Sequence, residues 1–158
     1  MPDEPYPFSA FNFSVEITPD QTSALLCRAA FAECDGLEMT MDVKTIREGG
    51  NNGVQIKLAG PVTYGQLTLR RGMTSSFDLW EWFERVVHDP RVRASAVVVL
   101  YAPNRTTKQA TWTLQRCVPI KIKAPALNAR DGVVAIEEMQ LGYESLRLRP
   151  SAGVTGDG

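Results

Sequence analysis

The chain has little of what most catalytic and redox proteins are built on. It carries a single histidine, His88, and three cysteines, Cys27, Cys34 and Cys117, in 158 residues. An odd number of widely spaced cysteines with no Cys-x-x-Cys pair spells neither a disulfide framework nor a zinc ligand set. They read as small thiols, buried or half-buried, in a reducing compartment. His88 has no cysteine or carboxylate at ligand spacing and falls where a helix ends, a position favourable to the helix dipole. No run approaches 18 apolar residues, which excludes a membrane-spanning helix. Neither sign of charge dominates: 17 Lys and Arg against 18 Asp and Glu leave a formal net charge of -1, without overall pull toward nucleic acid or an anionic membrane. The opening Met1-Pro-Asp-Glu-Pro-Tyr-Pro7 is acidic and proline-rich, the wrong make-up for a secretory signal. The expectation is a chain that stays in the cytoplasm or leaves by a route reading no N-terminal peptide.

What is there is a β pattern. With 44% hydrophobic and 22% charged residues the chain has the composition of one globular domain with a sizeable core. Residues 1–10 read as an extended arm, 11–148 as the domain and 149–158 as a flexible Gly/Ser-type tail. Phe11, Phe13, Val15 and Ile17 alternate with polar residues, the period of a half-buried strand. A second strand begins over Leu25 to Phe31, and Leu37, Met39, Met41 and Val43 share one face of a third. Gly36 fits a bend between them. Gly49-Gly-Asn-Asn-Gly53 offers residues tolerant of positive φ and no apolar anchor, a loop too long for a tight hairpin. Val54 to Leu58 reads as a returning strand broken at Gly60-Pro61, followed by Gln66 to Arg70.

The one helix is expected over Ser76 to His88, with Ser75 and Asp78 as a capping box and Asp89-Pro90 as the stop. Leu79, Trp82, Phe83 and Val86 form its apolar stripe, and Phe77, Trp80 and Val87 widen it. Ala94 to Tyr101 reads as a strand buried on both faces. Thr111 to Val118, Ile120 to Lys123 and Val133 to Leu146 complete the set, the last with a phase disturbance at Glu137-Glu138. The sum is mainly β: an antiparallel β barrel or sandwich of about seven strands with one α-helix.

The candidate chemistry is thin. Ser75 and Ser76 lie outside any Gly-x-Ser-x-Gly elbow. A P-loop needs Gly-Lys-Ser/Thr opening a helix, whereas Gly53 leads into Val54-Gln-Ile-Lys57. Glu33 and Asp35 share a strand face and Glu137 and Glu138 point apart, which reads as surface charge rather than an acid-base pair. Arg70-Arg71 and Arg91/Arg93 lack the interleaved aromatics of a nucleic-acid face. The residues therefore indicate no enzyme, no cofactor and no metal site. Trp80, Phe83, Trp82 and Trp112 leave a small-ligand-binding barrel as an alternative of another class.

One further observation concerns motif order. Phe11-x-Phe-x-Val-Glu16, Phe31-x-Glu-Cys-Asp-Gly-Leu37-Glu, Glu48-Gly-Gly-Asn-Asn52, Lys57-Leu-x-Gly60, Leu67-Thr-Leu-Arg-Arg-Gly72, Leu79-Trp-Glu-Trp82 and Val134-Ala-Ile-Glu-Glu-Met-Gln-Leu141 follow one another over roughly residues 8–147. This order resembles the tail tube proteins of contractile-tailed phages and the inner tube proteins of phage-tail-like contractile injection particles. Cys34, where relatives tend to carry Val, and Ala59, where Pro is usual, depart from it. The resemblance implies the fold shared with the type VI secretion tube protein. It also implies assembly with itself into stacked hexameric rings inside a contractile sheath, with DNA or effector protein passing along the lumen. Baseplate and tube-initiator proteins are the further partners, with no membrane insertion of the chain's own. Assembly is expected in the cytoplasm, and the product is part of a tail or particle. A specialised initiator or adaptor ring is the alternative within this class. On this reading Arg47, Glu48, Gly49, Gly50, Asn51, Asn52, Gly53 and Val54 make subunit or ring contacts, and Leu79, Trp80, Trp82, Phe83 and Val86 pack the helix on the core.

Overall fold

The computed structural model describes residues 8–10, 12–20, 26–29, 31–47, 53–130 and 132–150. The expectations for residues 1–7, for Phe11 and Leu25, for Glu48 to Asn52 and for residues 151–158 lie outside the described residues. The strands are β1 (Phe13–Pro19), β2 (Cys27–Ala29), β3 (Glu33–Asp35), β4 (Met39–Arg47), β5 (Gln55–Tyr64), β6 (Gln66–Gly72), β7 (Ala94–Tyr101), β8 (Lys108–Lys123), β9 (Ile136–Gly142) and β10 (Ser145–Pro150). Among the described residues a single helix, α1 (Asp78–His88), lies between β6 and β7.

Alternating apolar residues need something to cover them, and here the sheet covers itself. Eight strands join in the order β2-β1-β7-β8-β9-β6-β3, with β10 also paired to β8. The 16-residue β8 is the corner post. Its first part pairs with β7 and β10, and Val118 to Lys123 pairs with β9. Between the two parts Arg116 takes a φ of 55° and the register slips between Pro119 and Lys121, the means by which a strand turns a barrel corner. Val15, Ile17, Ala96, Val98, Leu114 and Leu146 from one half then meet Leu67, Leu69, Met139 and Leu141 from the other in one core. Full burial of each large aliphatic side chain contributes on the order of 1.5–3 kcal/mol.

Helix α1 closes this core with Leu79 and the fully buried Trp82, while Val86 packs at its margin. Its start differs from the expected capping box. The helix begins at Asp78, Phe77 holds the cap position, and no side chain caps it. Asp78 is instead drawn to the buried Arg71, to which it is ion-paired, and its Oδ1 also accepts the Leu79 N–H at 2.8 Å. A buried guanidinium needs a counter-charge more than an exposed helix end needs a cap. Glu137 supplies a second one: Arg71 Nε donates to its Oε1 at 2.5 Å, and Trp80 Nε1 donates to its Oε2 at 3.3 Å. Arg71 also lies over the Phe31 ring, 5.5 Å from its centroid. The Glu137-Glu138 phase disturbance is thus a regular alternation with a charged residue, Glu137, facing inward.

Other expectations are corrected. Of the expected strand over Leu25 to Phe31 the described residues show β2, Cys27–Ala29, and Glu33 to Asp35 forms a separate strand on β6. Thr111 to Val118 and Ile120 to Lys123 are one strand, because the register slip absorbs Pro119 without ending the ladder. Val133 to Leu146 is two strands, β9 and β10, interrupted at Tyr143 and Glu144. β7 alternates buried with half-buried residues over its first part instead of being buried on both faces. Gly60-Pro61 does not break β5, for the reason given below.

Candidate assembly surfaces

Strands β4 and β5 form a separate two-stranded antiparallel sheet that pairs with no third described strand. Every residue of β4 is exposed, with Met39 at 61%. Met41, Val43, Ile46, Val54, Ile56, Leu58 and Val62 are exposed with it. Arg47 ends β4, Gly53 and Val54 lead into β5, and all three are exposed beside the undescribed Glu48 to Asn52. The described strands form a ribbon about 30 Å long, at roughly 3.3 Å per residue, with Arg47, Gly53 and Val54 at its far end.

Gly60 and Pro61 sit where the pairing slips between Met41 and Val43, a bulge with the extra residue in β5. A Cβ at Gly60 would collide with the Asp42 carbonyl, so only glycine fits the close approach. Proline is tolerated at such a bulge on an edge strand because the missing N–H interrupts no regular ladder bond.

The base of the ribbon is held to the barrel. Tyr143 Oη donates to the Gly36 carbonyl at 2.7 Å and accepts the Glu38 N–H at 3.1 Å. Its ring lies 5.7 Å from that of Tyr64. Burial pushes its phenol above the ordinary pKa. Gly36 turns the chain there with a φ of 108°, and a side chain at this point would strike the Gln66 backbone.

The curled sheet has open borders. No described strand pairs with the free side of β3, nor with that of β8 from Val118 to Lys123. The outer face between these borders carries a row of alternating charge, Glu33, Arg70, Glu138 and Lys123, set by the strand register. Arg70 lies 3.2 Å from both Glu33 and Glu138. The next row runs Asp35, Thr68, Gln140, Lys121 by the same register. One border is acidic, through Glu33 and Asp35, and the other basic, through Lys121 and Lys123.

The remaining candidates are placed as follows. Trp80 and Phe83 are half-buried on α1, and Phe77 and Val87 are exposed at 51% and 65%. Trp82 lies inside the core, and the described cavities are lined by other residues than the tryptophans and Phe83. One cavity of about 350 Å³ gathers Asp20, Asp89, Arg91, Val92, Arg93 and Arg116. Its arginines are engaged: Arg91 by Asp89, Arg93 by the Pro90 and Val92 carbonyls, Arg116 by Glu144. Burial pushes the Cys34 and Cys117 thiols up to about 12, helped by the charges of Asp35 and Asp20 respectively. Among the described residues no group of three His, Cys, Asp or Glu is placed to hold a metal ion, and no helix is long and apolar enough to cross a membrane. The ribbon's face pattern and the matched border charges were missed in the sequence; both depend on pairing register.

A barrel with complementary open borders and a ribbon standing off its body defines a class: structural building blocks completed by neighbours. The profile of the T4-like virus tail tube protein gp19 family matches residues 9–147, and the chain belongs to that family. It is a structural tail tube subunit. Among solved structures it is similar to a chain of the anti-feeding prophage baseplate, 28% identical over 93% of this chain and 98% of that one, with a TM-score of 0.82. It is also similar to a chain of the PVC extracellular contractile injection system sheath–tube complex, 20% identical over 92% and 93%, TM-score 0.78. An Hcp protein crystal structure shares the fold at 11% identity over 90% and 95%, TM-score 0.61. No curated protein sequence matches the chain.

Proposed function

We propose that copies of this chain close into hexameric rings through their sheet borders and that the rings stack into the inner tube of a contractile tail or injection particle. The observation that carries this reading is the ribbon exposed along the whole of β4, since an isolated two-stranded hairpin is marginally stable at best in water. The borders support it. β3, β6, β9 and β8 alternate in direction, so a rotation that brings β8 of one copy beside β3 of the next makes an antiparallel junction with lysines facing carboxylates. Such head-to-tail contacts close into rings. Arg47 to Val54 make the subunit and ring contacts. Residues 1–10 act as an arm and 149–158 as a tail to the domain at 11–148.

In this role the protein has no enzymatic activity and needs no cofactor. It is assembled in the cytoplasm, surrounded by sheath protein and nucleated by baseplate proteins, and DNA or effector protein passes through it. A charge-balanced surface suits a conduit, since a strongly basic one would hold a polyanion by releasing its counterions. Light scattering and negative-stain microscopy should show rings and tubes. A protein that stays monomeric at high concentration with nucleating partners present would sink the proposal. Deleting Glu48 to Asn52 should leave a folded protein and impair stacking; wholesale unfolding by circular dichroism would remove the loop from the assembly role.

A second reading within this class is an initiator or adaptor ring. The 28% identity to a baseplate-structure chain, against 20% to the sheath–tube chain, favours it. Copy number per particle separates the two: a few copies for an initiator, many for a shaft subunit.

A further inference from the structure

The register of the ribbon divides its apolar surface in two. In antiparallel strands, paired residues share a face and neighbours alternate. Near the barrel, Met39 pairs with Tyr64, Met41 with Val62 and Val43 with Ala59, which makes one face apolar, while the opposite face carries Thr40 paired with Thr63. Beyond the Val43–Ala59 pair the assignment reverses. The first face continues as Thr45 with Lys57 and Arg47 with Gln55, and the apolar residues now stand on the other side, as Lys44 with Leu58 and Ile46 with Ile56. The extra residue at Gly60-Pro61 changes the phase of β5 and keeps the paired side chains matched on both sides of it. A ribbon meeting one flat surface would need its apolar residues along a single face. This one has an apolar inner half looking one way and an apolar outer half looking the other, and both patches are exposed. The switch is made between Val43 and Lys44, one residue apart on β4, whereas ribbon twist accumulates over several residues, so the patches look out in different directions.

We propose that each ribbon seats two different neighbouring copies of this chain, one on the inner-half face and another on the outer-half face. The inference rests on the tube-subunit reading and gives that contact its two partners. The inner half, tethered beside Tyr143 and Gly36, serves the adjacent copy in the same ring. The outer half, centred about four residues and so roughly 13 Å further along β4, reaches a copy in the next ring.

Two paired variants test this in the full chain under conditions in which the parent forms tubes: Met41→Thr with Val62→Thr, and Ile46→Thr with Leu58→Thr. Threonine keeps the strand preference, and all the sites are exposed, so melting curves should match the parent. Light scattering and microscopy should find the outer-half variant arrested as single rings and the inner-half variant largely monomeric. Photo-crosslinkers at Val43 and Ile56 in parental tubes should capture different surface segments of neighbouring copies. Equal defects in the two variants, no defect in either, loss of sheath attachment alone, or capture of one common segment would each overturn the inference while leaving the tube reading intact. A parent that forms no assembly would take down the tube reading first and this inference with it.

Discussion

Strands β6 and β4 are written in nearly the same way and meet opposite fates. Leu67-Thr-Leu69 and Met39-Thr-Met41 have the same apolar–polar–apolar spacing, yet both leucines are buried and both methionines are exposed. The difference lies in the neighbours. β6 is flanked by β3 and β9 inside a curled sheet, whereas among the described strands β4 has only β5. Alternation decides which residues share a face; whether that face is covered depends on the rest of the chain or on another molecule. The barrel's apolar face is covered by its own chain, whereas no described residue covers the apolar residues of the ribbon.

That contrast can be broken at the barrel first. Trp82→Ala should remove about 3–5 kcal/mol of stability, because a large aromatic is lost from a site that cannot readily collapse. Urea unfolding measures this, and a parental midpoint would mean that α1 does not seal the core. Glu137→Ala should cost about 3 kcal/mol by leaving Arg71 buried with one carboxylate fewer, at the low end of the range for breaking a buried pair. The same measurement in the double variant with Arg71→Met should recover part of the loss, since two apolar groups avoid the uncompensated charge.

At the ribbon the expectation inverts. Gly60→Val should leave the barrel's thermal midpoint nearly unchanged while reducing assembly, because the collision with the Asp42 carbonyl distorts only the bulge. A drop in midpoint comparable with Trp82→Ala would show that ribbon and barrel fold as one unit. The smallest effect concerns the thiols. With pKa values pushed up to about 12, Cys34 and Cys117 are thiolate to only about one part in ten thousand at pH 8. Alkylation resolved by peptide mass spectrometry should be much slower at both than at a free cysteine. The rate should rise with pH through that range, the direction that thiolate formation dictates.

Much of the architecture was legible in the sequence. The period-2 patterns of Phe13 to Ile17 and Gln66 to Arg70, and the stripe of Leu79, Trp82 and Val86, are local signals that depend little on distant partners. The single helix and the mainly antiparallel sheet followed from them. The misreadings came where a distant residue intervened. Asp78 looked like a helix cap until Arg71, on a neighbouring strand, claimed it. Gly60-Pro61 looked like a break because a bulge opposite Asp42 is a property of two strands and not of one. Glu137 looked like surface charge because nothing in its own strand announces a buried guanidinium. The tube-subunit role was legible through the order of the motifs. The reversal of faces along the ribbon was not, since it depends on which residues pair.

Tyr143 carries a consequence of its own. Its hydroxyl grips both sides of the Gly36 turn just where β9 gives way to β10, so one side chain joins the barrel's corner to the root of the ribbon. An arm that must meet partners at a distance amplifies any angular error at its shoulder: a tilt of ten degrees at the root displaces the far end of a 30 Å lever by about 5 Å. Removing that hydroxyl in Tyr143→Phe would leave the barrel's interior intact and loosen the bearing on which the arm is set. Aim, as much as adhesion, is then a quantity this fold has to control before any neighbour arrives.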